Sequence, residues 1–286
     1  MLVTALPSTN RQNLQQVMAH VHQSVSNLWS GGAVRSAYER LLNYLDWANE
    51  AVRLLSSQVS PRDIDRLVLT PRYHTLLSGL SAYMQPETQR ALNSLLSTEL
   101  DQRTAAFAEA CKVLDQHIDR WSRPGVFVLL DTGVYIHHEK TIDEIDLAPL
   151  IPVRHEPIHV LVPIVVIDEL DGQKQNSKGE VRGRARQALA ILDRVLQNPA
   201  YPARLREEDY SALDSGGIPR GEISIEVLFD PPGHTRLPIN DDEIIDRALS
   251  VVPLAARPVT LLTYDTGQSM RARAAGLGAV KLAQSK

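Results

Sequence analysis

Apolar residues recur every three or four positions through the first 122 residues, which is the spacing of amphipathic helices. We predict helices at about 10–29, 33–57, 61–68, 71–84 and 86–121. Ser60-Pro61 and Thr70-Pro71 are helix-start signals, since a capping hydroxyl precedes proline at the first helical position. The second helix has an apolar stripe that must pack in its own domain or against a partner: Leu41, Leu42, Leu45, Ala48, Val52 and Leu55. Residues 1–122 are therefore predicted to be an all-α domain of unknown role.

The pattern changes at Ser122-Arg123-Pro124-Gly125, where helical spacing gives way to short apolar runs. Runs typical of strands cover about 126–131, 159–167, 222–229, 258–264 and 278–282, the third as an edge strand or part of a hairpin. Helical patterns lie between them at about 179–197, 241–251 and 267–276. This alternation predicts an α/β domain over residues 123–286 with a mainly parallel sheet.

Composition narrows the class of protein. At 286 residues, with 43% hydrophobic and 22% charged residues, the chain can bury a substantial core. Its apolar runs are too short to cross a bilayer, so no membrane partner is predicted. The single cysteine, Cys111, has no disulfide partner within the chain, which favours the cytoplasm. A net charge of −4 without a basic tail gives no general affinity for nucleic acid.

Four acidic residues are placed where apolar runs end or a helix begins: Asp131, Glu169, Asp241 and Asp265. Because the carboxyl ends of parallel strands lie at one edge of a sheet, we expect these side chains to converge. Asn240 is expected to cap the helix that Asp241 opens. Carboxylates are the ligands that Mg²⁺ and Mn²⁺ prefer, so the set predicts a site for one or two such ions.

The ordered set resembles the PIN-domain nucleases over about residues 125–282. That family has a strand ending in Asp, a Glu-Leu after a second strand, an Asn-Asp or Asp-Asp opening a helix, and a late Thr-x-Asp; the closing segment 271–277 also fits. The resemblance implies a three-layer sandwich and a metal-dependent endoribonuclease in which a metal-activated water hydrolyses RNA phosphodiester bonds. The family commonly has Asn at the position of Gly133, and if that Asn orients the cluster, its absence lowers activity.

Further candidates surround these four acids. Asp242 is an alternative metal ligand to Asp241, and Asp246, one helical turn further on, is expected to face the same cleft and support the ligands. Thr263 matches a hydroxyl position of the family that can orient a carboxylate. Basic residues follow Glu169 and are predicted to bind substrate phosphates, chiefly Lys174, Lys178 and Arg182, with Arg184 and Arg186 nearby.

Two other functions fit parts of the sequence. The first is a non-catalytic PIN-fold module that binds RNA or a protein, because a fold does not guarantee an activity. The second is an aspartic protease, because Asp-Thr-Gly occurs at both 131–133 and 265–267. The predicted helices between these tripeptides argue against the β-rich protease fold. A protein inhibitor over the acidic cleft and a homo-oligomer are further candidate partners.

Overall fold

A computed structural model describes residues 3–30, 36–151 and 153–283, without the side chains of Trp29 and Ser30. The chain forms two compact units, Met1–Ser122 and Arg123–Lys286. None of the helices in the described ranges has both the length and the hydrophobicity of a membrane span.

The first unit is helical. Three long helices pack together, α1, α2 and α5, with two short helices between α2 and α5. The bounds are α1 Arg11–Ser30, α2 Ala37–Leu55, α3 Pro61–Leu67, α4 Pro71–Ser78 and α5 Gln89–Trp121, with 3-10 turns at Ala82–Met84 and Pro86–Thr88. The predicted start of the second helix at residue 33 lies outside the described residues, and α2 begins at Ala37 after its cap Ser36.

Helix-start signals in the first unit are confirmed. The hydroxyls of Ser60 and Thr70 accept hydrogen bonds from backbone amides in the first turns of α3 and α4, with proline next in each case. The predicted helix over 71–84 is wrong in its second half, because α4 ends at Ser78 before a separate 3-10 turn. The apolar stripe of α2 is largely buried, although Leu42 is 40% exposed.

The second unit is a six-stranded, mostly parallel sheet between helices, as predicted. Its strands are β1 Val126–Leu130, β2 Ile158–Pro163, β3 Ala203–Arg206, β4 Ile223–Leu228, β5 Val259–Thr263 and β6 Gly278–Lys281. They lie in the order β3-β4-β2-β1-β5-β6, and only β3 is antiparallel to its neighbour. The helices are α6 Thr132–His137, α7 Ile164–Asn176, α8 Gly179–Val195, α9 Asn240–Ala255 and α10 Thr266–Ala274.

Helices cover both faces of the sheet. Every residue of β2 and β4 is buried, although alternate side chains point to opposite faces. The edge-strand prediction for 222–229 is wrong, because β4 lies between β2 and β3 and only its antiparallel pairing with β3 fits the hairpin alternative. Strand β3 and helix α6 are additions that the pattern did not predict.

The second predicted strand is too long. It ends at Pro163, which has no amide hydrogen to donate, and the next residue begins α7. Periodicity could not detect this change, because the apolar run continues across the end of the strand into the first turn of the helix. Glu169 therefore lies within a helix rather than directly after a strand.

Candidate metal centre

The sheet brings the predicted acids to one edge. After β1 the chain builds β2, β3 and β4 on one side, then crosses to β5 and β6 on the other. The carboxyl ends of β1 and β5 therefore border the point where the strand order reverses, which is where open α/β sheets form ligand crevices. Asp131 directly follows β1, and Asp265 lies two residues after β5.

Asp131 caps α6 and is held by neutral groups. Its Oδ2 accepts from the amide of Gly133 at 3.2 Å and from the hydroxyl of Thr263 at 3.3 Å, and its Oδ1 accepts from Nε2 of Gln268 at 3.1 Å. Burial raises the pKa of Asp131, and the charge of Glu169 adds to the rise, while the three hydrogen bonds oppose it. The carboxylate thus lacks a positively charged partner in the described residues.

Asp265 caps α10 in the same way. Its Oδ1 accepts from the amide of Gln268 at 2.7 Å, and its own amide donates to the hydroxyl of Thr263 at 3.0 Å. Thr263 is fully buried and therefore links the backbone of one acid to the carboxylate of the other. This geometry supports the predicted orienting role of Thr263.

Glu169 reaches the edge from the second turn of α7. Its Oε2 accepts from the hydroxyl of Thr132, and its Oε1 accepts from the side-chain amide of Asn240 at 2.7 Å. The predicted capping role of Asn240 is wrong, because Asn240 is the first residue of α9 and its side chain binds Glu169 instead. Asn240 thus ties the start of α9 to α7.

Asp241 lies in the first turn of α9. Its Oδ1 accepts from Nε2 of Gln268 at 3.4 Å, so one amide nitrogen contacts both Asp241 and Asp131. Its Oδ2 pairs with Arg271, whose Nε lies 3.0 Å from Oδ1 of Asp242. Burial raises the pKa of Asp241, the charge of Asp131 adds to the rise, and Arg271 opposes it.

The four acids line one open cleft of about 840 Å³. Its other lining residues are Thr132, Gly133, Ile136, His137, Gly172, Gln173, Asn176, Ser177, Lys178 and Val181. Carboxylates that converge without bound cations repel one another, which agrees with the raised pKa values of Asp131 and Asp241. The buried Oε1 of Gln268 also has no hydrogen-bond partner among the residues that the structure describes. This oxygen-rich set fits a hard divalent cation such as Mg²⁺ or Mn²⁺.

Comparison with known families identifies the second unit. A family model described as "PIN domain" matches residues 128–283, which is more than half of the chain. The chain belongs to the PIN-domain family. PIN domains are generally nucleases that typically use divalent metals, and the match does not extend into the helical unit.

Comparisons with individual proteins add little. No curated protein matches this chain. A solved structure described as a domain of a functionally unknown protein from Methanocaldococcus jannaschii DSM 2661 is similar at 18% identity. The match covers 56% of this chain and 94% of that chain, with a TM-score of 0.33.

The aspartic-protease interpretation is wrong. Each Asp-Thr-Gly tripeptide of the PIN domain leads from a parallel strand into a helix, with the Asp at the helix cap. Gly133 and Gly267 lie close behind these caps, where an added Cβ would come within 3.0 Å of Asp131 Oδ2 and 3.2 Å of Asp265 Oδ1. The repeated tripeptide therefore reflects two similar helix starts. Lower activity caused by Gly133 stays a prediction.

The predicted phosphate-binding residues do not all reach the cleft. Lys178 lines it, next to Val181 on α8. Lys174 lies elsewhere, 3.4 Å from Asp171, in a separate depression between α7 and α8. Arg182 donates to the backbone carbonyl of Lys174 at 3.0 Å. Asp246 pairs with Arg247, and the described lining of the cleft does not include Asp246.

The sequence did not indicate the contacts that several polar residues make with the predicted acids. Thr132, Asn240, Gln268 and Arg271 each contact at least one of these acids. Gln268 gave one usable signal, because it lies three residues after the cap Asp265, where its backbone amide meets the capping carboxylate. Its side-chain contacts with Asp131 and Asp241 depend on the tertiary fold.

A second group of ligand-type atoms lies on the other side of α9. Atoms of Asp230, His234 and Glu243 lie within 4.8 Å of one another. Glu243 already accepts from the amide of Leu237 at 2.9 Å and contacts His234 and Arg247. These contacts compensate the buried charge of Glu243 and join the loop 229–239 to α9.

Proposed function

We propose that this PIN-domain protein is a metal-dependent endoribonuclease that hydrolyses RNA phosphodiester bonds. The observation that carries the proposal is the convergence of Asp131, Glu169, Asp241 and Asp265 on one cleft. Four carboxylates in a shared site are unfavourable for the fold alone, whereas they suit a cation that binds together with a phosphate.

The four acids would hold one or two Mg²⁺ or Mn²⁺ ions, with Asp242 as a further carboxylate at the edge. When bound, the metal supplies positive charge that activates the attacking water and offsets charge on the phosphate. Thr263 and Gln268 orient the carboxylates through the hydrogen bonds described above. Thr132 and Asn240 do the same for Glu169.

RNA would enter along the start of α8. Lys178 lines the cleft, and Arg182 lies one helical turn further on the same exposed side. Both cations would contact phosphates without reading base sequence. Lys174 contributes less, because it faces Asp171 and a different depression.

A cleavage assay tests the activity. Labelled single-stranded and structured RNAs are incubated with Mn²⁺, Mg²⁺ or EDTA, using wild type, Asp131→Asn and the control Asp168→Asn. Asp168 pairs with Arg236 and is exposed, so its substitution should leave cleavage unchanged. Asp131→Asn should lower the rate at least about 100-fold by removing a metal ligand. Equal cutting by all three proteins, or none despite RNA binding, favours the non-catalytic PIN-fold module.

A binding assay tests the RNA path. The double variant Lys178→Gln/Arg182→Gln should weaken binding to different RNA sequences alike and reduce the salt dependence by about one unit of slope per lost contact. The control is Arg194→Gln, because Arg194 lies near the other end of α8 and pairs with Asp143. An unchanged salt slope contradicts the assignment.

The cytoplasmic location, a protein inhibitor and a homo-oligomer stay predictions from the sequence.

A further inference from the structure

Arg271 holds an unusual position in the cleft. Its guanidinium contacts two of the acids at once, with Nη2 on Oδ2 of Asp241 and Nε at 3.0 Å from Oδ1 of Asp242. It is the cation that the described contacts place directly on one of the four predicted metal ligands. The guanidinium of Arg271 thus lies on an oxygen of Asp241 that would otherwise be free to bind a metal ion.

Both oxygens of Asp241 are engaged. Gln268 donates to Oδ1, and Arg271 pairs with Oδ2. Gln268 is fully buried and also holds Asp131, so it is fixed. The Arg271 side chain is 44% exposed and is therefore the partner that can leave.

A guanidinium and a divalent cation at the same carboxylate oxygen repel each other. We infer that Arg271 is the resident counter-cation of Asp241, that a metal ion binding to Asp241 displaces it, and that Arg271 thereby lowers the metal affinity of the cleft. This inference rests on the proposed function, because it takes Asp241 as a metal ligand. Arg271 sets the metal concentration at which the site fills.

The test measures Mn²⁺ affinity of the full chain without RNA, by calorimetry or by the electron paramagnetic resonance signal of free Mn²⁺. Arg271→Gln should bind Mn²⁺ about fivefold more tightly than wild type, because removal of an exposed ion pair has a modest effect. Arg271→Lys keeps a charge but loses the two-carboxylate geometry, so its affinity should fall between the two.

Arg273→Gln is the matched control. Arg273 lies on the same helix and contacts Ser269, through a 2.8 Å bond to the hydroxyl, rather than an acid. The Arg273→Gln substitution removes the same net charge as Arg271→Gln but leaves the ion pair on Asp241 in place. Its Mn²⁺ affinity should therefore equal that of wild type. Circular dichroism spectra and melts establish that each variant is folded, and Arg271→Lys provides the comparison if Arg271→Gln is not.

The outcomes separate the two proposals. Unchanged or weaker Mn²⁺ binding by Arg271→Gln overturns the inference about Arg271 and leaves the nuclease proposal intact. An equal gain in Arg273→Gln also overturns it, since the effect would then come from overall charge. Mn²⁺ binding that is absent in wild type, or that survives Asp131→Asn unchanged, contradicts the metal site of the proposed function itself.

Discussion

Glu99 in the helical unit and Asp131 in the PIN domain are both buried carboxylates, yet their surroundings are opposite. Glu99 is 1% exposed and contacts two arginines, Arg72 at 3.1 Å and Arg103 at 3.0 Å. It also accepts from the hydroxyls of Tyr44 at 3.0 Å and Thr70 at 2.9 Å. Its charge is therefore compensated within its own unit.

Among the described residues, the hydrogen-bond donors to Asp131 are all neutral, and the charged group that acts on its pKa is Glu169. Burial raises its pKa, so the fold holds this charge at an energetic cost. This contrast separates a buried carboxylate with a structural role from one whose surroundings favour a bound cation. A compensated charge stabilises helices that are already packed, whereas an uncompensated one favours binding of an external cation.

The largest expected effect is a loss of stability of the helical unit when its compensated carboxylate, Glu99, is removed. Glu99→Ala leaves Arg72 and Arg103 without their shared acid and should lower the free energy of unfolding of the helical unit by about 3 kcal/mol. All three tryptophans, Trp29, Trp47 and Trp121, lie in this unit, so tryptophan fluorescence during urea unfolding reports on it alone.

Asp101→Ala is the control for that measurement. Asp101 is exposed on the same helix two residues later, and its removal should change stability by less than about 0.5 kcal/mol. A similarly small change for Glu99→Ala would show that the contacts of Glu99 do not stabilise the helical unit. The proposed contrast between Glu99 and Asp131 would then be wrong.

The second effect is stabilisation of the PIN domain by metal. Mg²⁺ or Mn²⁺ at about 100 times its dissociation constant should add about 2.7 kcal/mol to the free energy of unfolding. Tryptophan fluorescence cannot report this gain in stability, because the PIN domain has no tryptophan. Far-ultraviolet circular dichroism is therefore used to follow unfolding. Asp131→Asn should remove most of the gain, while Glu99→Ala should keep it. If millimolar Mg²⁺ or Mn²⁺ does not raise the melting temperature of wild type, the interpretation of Asp131 as an uncompensated carboxylate that favours a bound cation is wrong.

The smallest effect is on pH dependence without metal. The pKa of Asp131 is raised in the folded state, so the protonated form favours folding. Its contribution to stability is fully present below the unfolded pKa and is lost as pH rises through the folded pKa. In EDTA at pH 7, Asp131→Asn should therefore be more stable than wild type, and the difference should shrink on acidification. A difference that grows towards low pH contradicts the raised pKa.

Parts of the fold could be predicted because they depend on local patterns. The caps Ser60 and Thr70 predicted the starts of α3 and α4, and the apolar run before Asp131 predicted β1. The run over 159–167 was misleading, because a buried strand and a buried first turn of a helix are equally apolar. Short elements such as β3 and α6 have too few residues to show a period.

Three acids of the candidate site could be located from the sequence because Asp131 and Asp265 follow strands and Asp241 lies in the first turn of a helix, positions that a parallel sheet brings to one edge; Glu169 reaches the same edge from the second turn of α7. The supporting partners of these acids could not be located in this way. Asn240 reaches Glu169 on another helix, and Gln268 bridges Asp131 and Asp241 on two other elements. Lys174 and Lys178 look alike in the sequence, yet only Lys178 faces the cleft.

The amino-acid sequence alone predicted the all-α first unit, the α/β second unit and the four acids of the candidate site, because periodicity, caps and strand ends are local properties. Only the tertiary structure set the order of the strands, the burial of β4 between its two neighbours, the partners of each carboxylate and the pairing of Arg271 with Asp241. These features join residues far apart in the chain. Their contacts form only when packing brings separate helices and strands to the same edge of the sheet.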